Sequence, residues 1–69
     1  MKPYQERVEQ EAKELRIKCD KLYAFIDSEI FEGLAGVDKA RLTVQVYYMG
    51  AYLGILLERI DAWEVAKAT

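Results

Sequence analysis

Histidine is missing from this 69-residue chain, and cysteine and proline each occur once. Without histidine, the single Cys19 cannot complete any usual zinc or iron ligand set, and it has no partner for an internal disulfide. The sequence also lacks a base for a Ser–His or Cys–His pair, and it contains no glycine-rich phosphate-binding loop. We therefore expect a protein that is not an enzyme and that holds no metal and no cofactor.

Neither sign of charge dominates, since 10 Lys+Arg stand against 12 Asp+Glu, for a net charge of -2. This balance argues against a polybasic nucleic-acid arm and against an acidic tail. A hydrophobic content of 52% is too high for a disordered chain, and the length suits one domain, residues 1–69. Residues 1–7 show no apolar signal-peptide core, so we expect the protein to stay in the cytoplasm of the cell that makes it.

One amphipathic helix is predicted over about residues 3–26. Pro3 suits its first turn, and no glycine or further proline interrupts it. Its apolar residues are spaced alternately by four and three, which is a heptad pattern on one face. This first seam consists of Val8, Ala12, Leu15, Cys19, Leu22 and Ile26.

A connector is predicted over residues 27–37. Asp27 or Ser28 can cap one or two helical turns, and Gly33 and Gly36 favour a reversal of the chain.

A second helix is predicted over about residues 38–66, with Asp38 as its N-cap. It carries two apolar sets on different faces. The second seam, again with heptad spacing, is Leu42, Val46, Met49, Leu53, Leu56, Ile60 and Trp63. The other set is Val44, Tyr47, Tyr48, Ala51, Tyr52 and Ile55. Residues 42–57 carry no charge at all, which is typical of a helix that is covered on more than one side.

The predicted fold is therefore all-α: a helical hairpin that assembles into a helical-bundle homo-oligomer. The first helix can cover only one face of the second, and an exposed apolar face of this extent is rare in monomers. An antiparallel dimer that forms a four-helix bundle is the simplest closed assembly. The expected interface is Val44, Gly50, Ala51, Gly54 and Ile55. The charge-free run is shorter than the roughly 20 residues of a transmembrane helix, so we expect no membrane span.

A resemblance to a known group rests on motifs in both helices. The first run is Tyr4-x-x-Arg7-Val8-x-x-Glu11-x-x-Glu14-Leu15, followed by Lys18-x-x-Lys21-Leu22-x-x-Phe25-Ile26-x-Ser28 and Phe31-x-x-Leu34. The second run is Gln45-x-x-x-Met49-x-x-Tyr52-x-x-Ile55-Leu56-x-x-Arg59-Ile60. Over about residues 4–60 the chain resembles small helical accessory proteins of tailed phages and prophages, of the crAss-phage-related type. It departs from them between Gly33 and Asp38, and at Gly50 and Gly54.

The resemblance implies a phage-encoded, non-structural protein that counters host defence by binding. The partner would be a nucleotide immune signal, sequestered in pockets between subunits, or a host protein that is blocked. The resemblance transfers no individual binding residues.

A ligand site for a phosphate-bearing molecule is predicted at the start of the second helix, where free N–H groups and the helix dipole favour anions. Cations and aromatic rings would complete it. The candidate residues are Lys39, Arg41, Tyr47, Tyr48, Tyr52 and Arg59. The alternative is that the two cations are solvated and that the tyrosines fill an interface.

Two other classes of protein stay open on the sequence. One is a helical-hairpin regulator that binds RNA, which requires a basic outer face. The cations of the first helix are mixed with as many acids, which argues against a nucleic-acid partner. The other class is a purely structural coiled-coil adaptor.

Overall fold

Three helices make up the chain in the computed structural model, which describes the backbone of residues 2–68 and the side chains of residues 2–64. Helix α1 spans Pro3–Ile26, α2 spans Glu29–Glu32 and α3 spans Gly36–Ala68. No strand occurs among the described residues. The predicted all-α class and the hairpin of two long helices with a short helical connector are confirmed.

The hairpin is held together by the two seams. Helices α1 and α3 lie side by side in a rod with extents of 51 × 16 × 14 Å. Every residue of both seams is buried or half-buried. Val8, Ala12 and Leu56 form the centre of the core, and Leu56 is the one described large side chain with no exposed surface. Because each helix offers one continuous apolar stripe, the heptad spacing determines which residues meet.

Each end of the hairpin is closed by aromatic rings. At one end the rings of Tyr4 and Trp63 meet edge to face, with centroids 5.8 Å apart. At the other, Phe31 of α2 is buried, and its ring lies 6.3 Å from that of Phe25. Ser28, one of the two predicted caps, is the N-cap of α2. Its hydroxyl accepts a hydrogen bond from the amide of Phe31. The capped turn therefore places Phe31 over the end of the core.

The start of α3 differs from the sequence prediction. The helix begins at Gly36, not after an N-cap at Asp38. The carbonyl oxygen of Ala35 accepts hydrogen bonds of 3.0 Å from the amides of Asp38 and Lys39, so helical bonding is already established there. Asp38 lies inside the first turn, where its charge still favours the helix dipole. Only residues 33–35 remain between α2 and α3.

Although α3 is long, its charge-free part is short. Within the described part of the chain, no helix has an apolar stretch that could cross a membrane.

Candidate functional site

The outer face of α3, which points away from α1, is apolar and exposed. We define it as Val44, Tyr47, Tyr48, Ala51, Gly54 and Ile55. Between 53% and 70% of the surface of its four large side chains is exposed. A methyl group added at Gly54 would meet no atom within 4 Å, so this part of the helix surface is open. In a single chain, the outer face has no partner.

The two glycines of the predicted interface have different surroundings. A Cβ atom at Gly50 would lie 3.9 Å from the hydroxyl oxygen of Tyr23 on α1, and Gly50 is half-buried. Gly54, one helical turn later, is exposed. The structure therefore places Gly50 beside its own α1, whereas Gly54 belongs to the open outer face.

Lys39 is engaged within the hairpin. Its ammonium nitrogen lies 3.6 Å from a carboxylate oxygen of Glu32 and 5.9 Å from the ring centre of Phe31. One third of its side chain is exposed. These two contacts attach α3 to the connector helix, which is a structural role.

Arg41 points to a different side of the helix. It lies two positions after Lys39, which corresponds to about 160° around the axis. It lies in the second turn of α3, beyond the free N–H groups, and its guanidinium is 3.7 Å from Asp38 at an exposed position. The structure therefore does not bring Lys39 and Arg41 together at a single site.

A second arrangement of the predicted residues does exist along one flank of α3. Arg41, Tyr48, Tyr52 and Arg59 follow one another at spacings of seven, four and seven residues. These spacings are close to whole numbers of turns, so the four residues fall within about 40° of one another around the helix. We call them the arginine–tyrosine stripe. Tyr47 lies outside it, with its ring centre 5.5 Å from that of Tyr48.

The stripe borders α1 at Tyr52. The phenol of Tyr52 donates a hydrogen bond to the carboxylate of Glu11, and this bond joins a side chain of α3 to a side chain of α1. This bond, and secondarily desolvation and the charge of Glu11, raise the pKa of Tyr52 above its ordinary value, while the nearby charge of Arg59 opposes the shift. Arg59 is thus close enough to act on Tyr52, which supports the placement of both on one flank.

The opposite flank of the hairpin holds a groove that the sequence analysis missed. It has a volume of about 470 Å³ and an apolar floor that includes Ile17 and Leu57. Lys13, Arg16 and Glu9 form its charged rim. Ile17 and Leu57 are apolar residues outside both heptad seams, and that departure from the pattern was the signal available in the sequence.

Fold and surface together define a class of protein: a small helical hairpin with a covered inner face, an unpartnered apolar outer face and a flank on which two tyrosines lie between two arginines. Searches of curated proteins and of solved structures returned no match. The family model described as Sequestin matches residues 2–62. The chain belongs to the Sequestin family.

Proposed function

We propose that this protein is a phage-encoded, non-enzymatic accessory protein that binds and retains a phosphate-bearing nucleotide signal of a host defence system. The observation that carries the proposal is the match to the Sequestin family over residues 2–62, because the family name denotes a sequestering role. The resemblance to phage accessory proteins supplies the context of host cytoplasm and host defence.

The chemistry of the arginine–tyrosine stripe suits such a ligand. A guanidinium group makes paired hydrogen bonds to phosphate oxygens, and a phenol ring offers a face on which a base stacks. Arg41 and Arg59 stand at the two ends of the stripe, and Tyr48 and Tyr52 lie between them. Among the predicted site residues, Lys39 is left out of this site because it lies on a different side of α3 from Arg41.

Retention without turnover follows from the residue types on this surface. Arginine and tyrosine on an open helix flank bind anions and rings, but a hydrolase needs a positioned base or nucleophile. The sequence has no histidine, and the carboxylate nearest the stripe, that of Glu11, accepts the hydrogen bond of Tyr52. The protein would therefore act in stoichiometric amounts.

Thermal melting with nucleotide probes tests the proposal. The probes are ADP-ribose, cyclic ADP-ribose and a cyclic dinucleotide, each added to the purified protein. A probe at 100 times its Kd stabilises the folded state by about 2.7 kcal/mol, which raises the Tm by several degrees. We expect at least one probe to do so and to be released unchanged when the protein is unfolded.

Three variants locate the binding site. Arg41→Ala and Arg59→Ala each remove a cation of the stripe and should weaken the probe's binding at least tenfold. Arg16→Ala removes an arginine from the groove on the opposite flank and serves as the matched control, since it should leave binding unchanged. If Arg16→Ala is the damaging variant, the groove is the site. If no probe raises the Tm, nucleotide sequestration is wrong and a host protein becomes the expected target.

A further inference from the structure

The chain exposes more surface than a compact monomer of its size. A monomer of 8.0 kDa exposes about 4,450 Å² on average. This hairpin exposes 5320 Å². The excess of roughly 900 Å² is close to the roughly 800 Å² that one partner contributes to a standard interface. The excess is therefore comparable in size to the area that one further copy of the chain would cover.

The outer face has the composition for pairing with itself. It is free of charge, so two copies bury no unpaired ion when they meet. Ala51 lies near its centre, and small residues there allow two helix axes to approach closely. Ala40 and Ala62 lie eleven residues before and after Ala51, and all three are exposed. Eleven residues correspond to about three turns, so these alanines share the same side of α3.

An antiparallel twofold centred at Ala51 sets the remaining contacts. On the edge away from the stripe, Tyr47 of one copy then lies within about 1.5 Å of the height of Gly54 of the second copy, where the surface is open. On the edge of the stripe, Tyr48 lies within about 1.5 Å of the height of Ile55 of the second copy. Large side chains therefore face small or aliphatic ones, as in close-packed helix pairs.

The same twofold brings the two ends of the stripe together. A twofold axis perpendicular to both helices maps each flank of α3 onto the same flank of the second copy. Relative to Ala51, Arg41 lies ten residues before and Arg59 eight residues after. Arg41 of one copy and Arg59 of the second copy therefore differ in height by about 3 Å on the same edge. In one chain alone, the two arginines are separated by about 27 Å.

We propose that two copies pair through the outer faces of α3, antiparallel about Ala51, and that each phosphate site combines Arg41 of one copy with Arg59 of the second copy. This inference rests on the proposed function for its ligand class. Two like charges held side by side repel each other, and a bound phosphate group removes that repulsion. The dimer carries two such sites on one edge, with the tyrosines between them.

Disulfide trapping tests the register and direction of the pairing. Ala51→Cys should give a covalent dimer under mild oxidation, because the twofold places the two introduced cysteines opposite each other. The native chain is the first control, since Cys19 is buried. Ala62→Cys alone should stay monomeric on a denaturing gel, whereas a mixture of Ala40→Cys and Ala62→Cys should form the mixed dimer. Crosslinking of Ala62→Cys to itself, or none at Ala51→Cys, would overturn the pairing.

Charge reversal tests the composite site without any ligand. Arg59→Glu and Arg41→Glu each turn a like-charge pair into an opposite-charge pair, and the double variant places two acids together. In a double-mutant cycle of dimer dissociation, the double variant should dissociate several-fold more readily than the two single variants predict together. Additive effects would overturn the adjacency of Arg41 and Arg59.

The outcomes separate this inference from the proposed function. If the crosslinks form as expected and Arg41 and Arg59 are coupled in the cycle, but no probe raises the Tm, the pairing stands and nucleotide binding is rejected. If a probe raises the Tm of the native protein but Ala51→Cys forms no crosslink, nucleotide binding stands and the pairing is rejected.

Discussion

The inner and outer faces of α3 are similar in apolar content but opposite in environment. Inner residues such as Val46 and Leu56 are buried against α1, whereas outer residues such as Val44 and Ile55 are more than half exposed. The apolar residues of both faces recur at helical spacing, and all of them except Ile60 and Trp63 lie within the charge-free residues 42–57. The inner face of α3 stabilises the hairpin, whereas the outer face is available to a partner. The contrast shows that the single chain covers one of the two apolar faces of α3 and leaves the other exposed.

The largest expected effect comes from the inner face. Leu56→Ala should lower the free energy of unfolding by about 2–5 kcal/mol, because it leaves a cavity where no surface is exposed. Ile55→Ala is the adjacent outer-face control. It should leave the stability of the single hairpin within about 0.5 kcal/mol and act only on self-association. Urea denaturation at two protein concentrations checks both variants. If Leu56→Ala and Ile55→Ala lower the free energy of unfolding equally, the two faces do not differ as described.

A charge at the centre of the outer face should abolish self-association. Ala51→Glu buries a carboxylate against its own symmetry mate, so we expect the dimer Kd to rise at least 100-fold. Ala24→Glu introduces the same side chain at an exposed alanine of α1 and should leave the assembly intact. Circular dichroism should show both variants to be helical. Sedimentation showing the same mass for the two variants would contradict the assigned interface.

The two glycines should respond in opposite ways. Gly50→Ala should raise the free energy of unfolding by about 1 kcal/mol, since the new methyl group makes ordinary contact with Tyr23 and alanine favours the helix. Gly54→Leu has space in the single chain but should weaken assembly, because it fills the surface that faces Tyr47 of the second copy. Melting and sedimentation data distinguish the two. A Gly54→Leu variant that assembles normally and is more stable would remove Gly54 from the interface.

The smallest effect concerns the hydrogen bond between Tyr52 and Glu11. Because this bond raises the pKa of Tyr52, the protonated phenol is favoured in the folded state. Its contribution to stability is present below the usual tyrosine pKa and is lost as the pH rises through the raised value. Glu11→Gln should lower the titration midpoint of one tyrosine in an absorbance titration. Tyr52→Phe should remove the late-titrating tyrosine and leave the others. If Tyr52→Phe removes a tyrosine with an ordinary midpoint and Glu11→Gln shifts no midpoint, the bond is excluded.

Much of the fold could be predicted from the sequence, because one rule governs it. Heptad spacing alone identified every residue of both seams, and Ser28 was one of the two predicted caps. The start of α3 could not be predicted in the same way, since Asp38 is a good N-cap residue by type. The helix begins earlier because the amides of Asp38 and Lys39 already donate hydrogen bonds to the carbonyl of Ala35.

The candidate site was predicted less well, and the reason is geometric. Lys39 and Arg41 are neighbours in sequence, but a helix turns them to different sides. The contact of Lys39 with Glu32 depends on how the connector folds back, which no local pattern encodes. The groove beside Arg16 involves Ile17 and Leu57 from two helices, and it emerges only when the hairpin closes.

The claim that the outer face of α3 belongs to a second copy is tested most directly by the mass of the ligand-free native protein in solution. Sedimentation equilibrium at micromolar concentration should give at least twice the 8.0 kDa of the single chain, with a Tm that rises with protein concentration. A folded species of 8.0 kDa, with the same Tm over a hundredfold range of concentration, would contradict the account.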